Sequence, residues 1–359
     1  MLTQRTQLNF EGQSIYAGID VHLKSWNITI LTETLHHKTF SQPPKPEDLL
    51  VYLKTNFPGA KYFSAYEAGF CGLWSHYKLV ELGISNMVIN PADVPTTQKE
   101  QMQKTDAVDS KKIARSLRSG ELKGIYIPCQ KTLEDRSLIR VRNSIVKDLV
   151  RIKQRIKSML YFHGIEYPPE FQGGSGHWSK KFLNWLKGIQ LQHPTGTAAL
   201  GLFIKEAEQQ RALLLEATKQ IKALSISDSY AKNMELITST PGIGLITGIL
   251  FLTEIESISR FENTDKFAGL VGLVPNCNSS GANERIGEIT PRGHSHLRKS
   301  LIESAWIAAR IDPALTLAYH NYCKRMEPNK AIVRIARKLL NRIHSVLKNE
   351  KMYEKCIVK

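Results

Sequence analysis

The chain has 359 residues, 42% of them hydrophobic and 23% charged, with 49 Lys and Arg against 33 Asp and Glu for a net charge of +16. That length suits two or three domains, and the composition excludes a disordered chain, a collagen and a small disulfide scaffold. No apolar run approaches the roughly 20 residues that span a bilayer, the five cysteines contain no CxxC pair, and the positive excess predicts a polyanionic partner, nucleic acid above all.

The opening MLTQRTQLNFEGQ lacks an apolar signal-peptide core, which predicts a cytoplasmic protein. Residues 1–125 read as α/β. Ser14 to Asp20 is a short apolar run ending in a carboxylate. Ser25 to Leu31 alternates, with Trp26, Ile28 and Ile30 on one face, and His36 to Phe40 completes an antiparallel meander. Beyond Pro43, Pro44 and Pro46, Glu47 to Asn56 carries Leu49, Leu50 and Leu53 at helical spacing. Lys61 to Glu67 is a strand that again ends in a carboxylate. A helix from Gly72 to Leu82, a buried strand from Ser85 to Asn90 and a basic helix from Asp106 to Ser119 follow.

Residues 126–230 form a helical region. From Lys131 to Gly164, Leu138, Val141, Ile145, Leu149, Ile152 and Ile156 recur at three- and four-residue steps, which predicts a coiled coil or helical hairpin. A second helix over 197–226 is available to pack against it, and dimerisation or spacing is its expected role. Residues 231–359 are helical and punctuated by glycine. Thr240-Pro241-Gly242-Ile243-Gly244 before the apolar Leu245 to Ile255 fits a helix-hairpin-helix, whose glycine turn brings backbone N–H groups to a phosphate, and equally a tight helix–helix turn.

The charge is concentrated. Ser110 to Ser158 carries a net +10 and Arg285 to Lys351 a net +9, leaving the remainder at −3. Two basic zones on a near-neutral background predict two nucleic-acid contact surfaces.

Four acids stand out. Asp20 and Glu67 end strands, and Asp106 and Asp109 share a helix face at i, i+3. Such a set suits Mg2+ (or Mn2+), hard ions that take oxygen ligands, and two ions about 4 Å apart can clamp both oxygens in phosphoryl transfer. A three-strand meander followed by alternating helices and strands is the plan of an RNase-H-like fold. Lys104, Lys111, Lys112 and Arg115 surround the acids as candidate nucleic-acid contacts. His22, His36, His37, His294 and His296 form no recognised ligand spacing; His294 and His296 are expected to meet phosphate or cap a helix. Further on, Asn278-Ser279-Ser280-Gly281 leaves a hydroxyl exposed, with Arg285, Arg292, His294 and Arg298 downstream. A serine framed by cations can attack a phosphodiester or simply bind one, and these residues do not separate Ser279 from Ser280.

Together these motifs resemble a known family. Tyr16 to His22, Tyr66 to Gly69 and KTDAVDSKKIAR (Lys104 to Arg115) look like the N-terminal half of the DEDD transposases of bacterial insertion sequences, the IS110 family, related to the Piv-type DNA invertases. PGIGLITG (Pro241 to Gly248), FAGLVGLVP (Phe267 to Pro275), the NSSG step, ITPRGHSHLRKSLIESAW (Ile289 to Trp306) and AIVRIARKLL (Ala331 to Leu340) resemble its C-terminal transposase domain. The resemblance implies a RuvC-like N-terminal domain with Asp20, Glu67, Asp106 and Asp109 as a metal-binding tetrad. It implies a nucleophilic Ser279 or Ser280 in the C-terminal domain, a bridge RNA that guides recombination between donor and target DNA, and a nucleoid-associated homo-oligomer, dimer or tetramer. A Holliday-junction resolvase-like nuclease or a DNA invertase of the same fold is the alternative.

Overall fold

A computed structural model describes residues 9–96, 105–174, 176–280 and 283–355, with side chains for all of these except 277–280 and 283–286. The chain divides into two units, Met1–Ile127 and Pro128–Lys359. The first is mixed α/β and the second is mostly helical.

The first unit is built on a five-stranded sheet: β1 (Ser14–Val21), β2 (Trp26–Leu31), β3 (His36–Gln42), β4 (Lys61–Glu67) and β5 (Ser85–Ile89), in the order β3-β2-β1-β4-β5. The meander β1–β2–β3 is antiparallel. β4 and β5 run parallel to β1, as the crossover helices α1 (Pro46–Asn56) and α2 (Trp74–Glu81) allow.

Side-chain alternation divides the two faces. Ile15, Ala17, Ile19, Ile28, Ile30 and Tyr66 enter one core with Leu49 and Leu53 of α1 and Leu79 of α2. The opposite face carries a row of small residues: Thr39, Thr29, Gly18 and Ala65 are neighbours across β3, β2, β1 and β4. Helix α3 (Asp106–Arg118) lies on that row. A Cβ at Gly18 would stand 2.2 Å from the Ser110 carbonyl oxygen and 2.3 Å from the Ala114 nitrogen, so the helix backbone reaches the sheet because nothing projects there. A buried hydroxyl pair pins it in place: Thr29 Oγ1 lies 2.9 Å from Ser110 Oγ of the helix, and 2.9 Å from the half-buried Thr39 Oγ1 on the neighbouring strand.

In the second unit, α4 (Gln130–Phe162) and α6 (Pro194–Ser225) pack along one another, with the short α5 (Lys180–Gly188) between them in sequence. The buried residues of α4 include Ile139, Leu149, Ile152, Ile156 and Leu160, whereas Val141, expected on the stripe, is 54% exposed. Val141 falls between the two clusters that bury this helix, Ile139 belonging to one and Leu149 to Leu160 to the other. Phe182 and Leu186 of α5 and Leu200 and Ile204 of α6 cover the stripe from Leu149 to Leu160. The stripe therefore finds its partner within the chain and does not itself require a second copy.

The rest of the unit comprises α7 (Ala231–Thr238), α8 (Leu245–Ile255), α9 (Thr264–Val271), a hairpin of β6 (Pro275–Ser280) and β7 (Asn283–Ile289), α10 (Ser295–Ile311), α11 (Pro313–Cys323) and α12 (Pro328–Asn349). α8 is buried on every side from Gly248 to Ile255, inside a core shared with α10 and α12. At the PGIG turn, Gly242 has φ +79°, and a Cβ there would lie 2.3 Å from the Ser304 carbonyl oxygen of α10. Of the two readings of that motif, the tight helix–helix turn accounts for this glycine. Among the described residues no helix is long and apolar enough to cross a membrane.

Candidate metal centre

Asp20 stands two residues beyond Gly18, and Glu67 two beyond Ala65. Both carboxylates therefore belong to the face that α3 covers, at the C-terminal ends of adjacent parallel strands. α3 starts beside them. Thr105 caps it, its Oγ1 accepting from the Val108 amide at 3.4 Å. Asp106 and Asp109 fall in its first turn, where the helix dipole favours negative charge.

The cluster has two halves. In one, His22 Nε2 donates to Asp20 Oδ2 at 3.0 Å and lies 3.5 Å from Asp106 Oδ1. Asn27, the cross-strand neighbour of Asp20, donates Nδ2 to Asp106 Oδ2 at 3.3 Å. One ligand atom from each of Asp20, His22 and Asp106 lies within 4.8 Å of the others. In the other half, Lys112 Nζ donates to Asp109 Oδ1 at 3.2 Å and lies 3.8 Å from Glu67 Oε1. Burial pushes the Asp20 carboxyl above its ordinary range; His22 pulls it back, and Asp106 and Asp109 push it further up.

That donor set fits a divalent cation, which would favour the ionised form of Asp20 against its burial. Carboxylate oxygens and water suit Mg2+, and an imidazole among them also suits Mn2+. His22 was absent from the four acids read from the sequence. Its signal was its place two residues beyond Asp20, just past the end of β1; Asn27 had none without the strand register.

Of the cations, Lys111 and Arg115 are exposed on α3, whereas the Lys112 side chain turns inward to Glu67 and Asp109. Lys104 lies outside the described residues. Ser279 and Ser280 are on β6, opposite Glu284 and Asn283 of β7, and Arg285 pairs with Asn278; the side chains of these residues lie outside those described. Arg292 is exposed. Arg298, expected to meet nucleic acid, and His294, expected to meet phosphate or cap a helix, both make contacts within the protein. Arg298 NH1 donates to the carbonyls of Thr290 at 2.6 Å and Gly272 at 3.2 Å. His294 caps α10, its Nδ1 accepting from the Leu297 amide at 3.2 Å, and its Nε2 lies 3.3 Å from Glu254 Oε2. Their polar atoms hold the segments that flank the β6–β7 hairpin.

Glu254 is the hub of that arrangement. It lies on α8, 7% exposed, with Arg136 Nε at 3.4 Å and Arg140 NH2 at 3.1 Å from α4. Burial alone would raise its carboxyl, but His294, Arg136 and Arg140 outweigh that and hold it at about 2. A depressed folded-state value means stability that is present above the ordinary carboxylate range and lost as the pH falls toward 2. Glu254→Gln is expected to cost on the order of 3 kcal/mol, because it strands the buried Arg136 guanidinium. In thermal melts the gap between wild type and variant should be widest near neutrality and should close between pH 4.5 and about 2. A gap that does not change with pH would contradict this.

Residues 17–164 match the IS110-type DEDD transposase profile, and residues 234–320 match that of the transposase IS116/IS110/IS902 family. The chain belongs to the IS110 family of transposases. Two proteins of Sinorhizobium fredii that carry provisional transposase names are among the relatives of this family member. y4qE is 31% identical over 246 residues, 68% of this chain and 58% of the relative; y4rJ is 26% identical over 370 residues, 93% and 92%. The transposase for insertion sequence element IS1111A of Coxiella burnetii is 22% identical over 242 residues, 66% of this chain and 63% of that protein. The chain thus spans little more than half the length of y4qE and nearly all of y4rJ. The first family match contains Asp20, His22, Glu67, Asp106 and Asp109; the second contains the β6–β7 hairpin.

Proposed function

We propose that the chain is the transposase of an insertion sequence, a recombinase that cuts and rejoins donor and target DNA. In this reading the first unit is a RuvC-like, RNase-H-like nuclease domain, and Asp20, Glu67, Asp106 and Asp109 are the four acids of the DEDD set. The observation that carries it is the convergence of Asp20, His22 and Asp106 at the C-terminal edge of the sheet, inside the family-matched region, with Glu67 and Asp109 bridged beside them. The residues fit Mg2+ or Mn2+, which when bound supplies Lewis-acid stabilisation of charge on a phosphate. Around it, His22 and Asn27 orient Asp20 and Asp106, and the exposed Lys111 and Arg115 attract the DNA backbone.

The nucleophile is Ser279 or Ser280. Its oxygen forms a bond to phosphorus while the bond to one DNA hydroxyl breaks, and that hydroxyl leaves with a proton. The phosphoserine link keeps the phosphodiester energy, so a second DNA hydroxyl can displace the serine without an external energy source. A structured bridge RNA from the element's non-coding end selects the DNA partners. Exchange between two duplexes uses at least two active sites, hence a dimer or tetramer.

A substrate nicked beside the exchange point tests the covalent step. Wild-type protein is expected to become covalently trapped on it. One of Ser279→Ala and Ser280→Ala is expected to abolish the adduct, whereas Asp20→Asn should reduce both adduct and cleavage. An adduct that survives both serine changes excludes these serines. Cleavage without any adduct makes water the nucleophile and favours a resolvase-like nuclease.

A further inference from the structure

The four acids are not four equivalent carboxylates. Lys112 follows Asp109 by one helical turn, and its side chain is 10% exposed. Its ammonium lies 3.2 Å from Asp109 Oδ1 and 3.8 Å from Glu67 Oε1, while Asp20, His22 and Asp106 converge separately. An ammonium so removed from water persists where carboxylates replace its lost hydration. The partnership is mutual, because Glu67 and Asp109 gain a cation between them that offsets their repulsion.

The geometry points to Lys112 as a built-in monovalent cation that occupies the place of a second divalent ion between Glu67 and Asp109. The free protein accordingly takes one ion, at Asp20, His22 and Asp106, rather than the two that four free acids would hold. This inference rests on the metal reading above. Mg2+ needs carboxylate oxygens at about 2.0–2.1 Å, which leaves no room for the ammonium in the same gap. A second ion enters only if Lys112 leaves, and an incoming DNA phosphate, being anionic, is a group able to draw it away. Lys112 is on this account a positioning residue: it acts through Glu67 and Asp109.

Counting Mn2+ bound to metal-free full-length protein by electron paramagnetic resonance tests this without reference to catalysis. Wild type is expected to bind one ion per chain, Lys112→Met two, and Lys112→Arg, which keeps the charge, one. Adding Asp20→Asn should take wild type from one ion to none and Lys112→Met from two to one. Circular dichroism checks the fold, and Lys112→Gln replaces Lys112→Met if that variant misfolds. Two ions in wild type, or one in both folded neutral variants, overturns the inference while leaving the metal reading standing. A wild type that binds no Mn2+ overturns both.

Discussion

Asp20→Asn is expected to lower DNA strand cleavage by on the order of 10³-fold or more while the first unit stays folded. Cation stabilisation of phosphoryl charge is worth several kcal/mol, and about 4 kcal/mol corresponds to that factor. The fold should not suffer. Burial raises the Asp20 carboxyl, with further upward pushes from Asp106 and Asp109. A raised folded-state value means that the stability it confers is present at low pH and lost as the pH rises. Asparagine resembles the protonated form, so in chelator the variant should melt no lower than wild type at neutral pH. Full cleavage by the folded variant would remove Asp20 from the centre; a large fall in melting temperature would make its role structural.

Gly18→Ala is the second large effect. One methyl group would meet the Ser110 oxygen at 2.2 Å and the Ala114 nitrogen at 2.3 Å, both backbone atoms with no rotamer to yield. Overpacking typically costs 1–3 kcal/mol, and a clash with two backbone atoms belongs at about 3 kcal/mol or above. The functional loss should exceed the stability loss, because α3 carries Asp106 and Asp109 and a shift of about 1 Å can cost on the order of 10²-fold. Melting temperature and cleavage, measured side by side, check this. Gly173, with nothing within 4 Å of an added Cβ, is the control and should tolerate alanine in both assays. Wild-type stability in Gly18→Ala would mean that α3 does not rest on the sheet at this point.

Much of the first unit could be read from its sequence. Period-two alternation exposed the meander, and apolar runs ending at Asp20 and Glu67 marked the strand ends where a charged site can sit. What escaped depends on neighbours that periodicity does not specify. Asn27 meets Asp106 because β2 pairs with β1 in one register. Lys112 and Lys111 are adjacent lysines on one basic helix, yet one turns to carboxylates and the other to solvent. Arg298 looks like a phosphate ligand in a basic segment, yet its guanidinium reaches the Thr290 carbonyl, and of the two roles read for His294 the helix cap is the one seen, with Glu254 at its other nitrogen. Long polar side chains leave the same sequence pattern whichever way they point, and burial decides between them.

A divalent cation at the C-terminal edge of the sheet can be located directly. Fe2+ substituted for Mg2+, with ascorbate and peroxide, cuts backbone close to the ion through hydroxyl radicals. Cuts are expected beside Asp20 to His22 and at the start of α3 near Asp106, suppressed by excess Mg2+ or Mn2+ and lost in Asp20→Asn. Cuts that fall elsewhere, or that excess Mg2+ and Mn2+ leave unchanged, would contradict this placement.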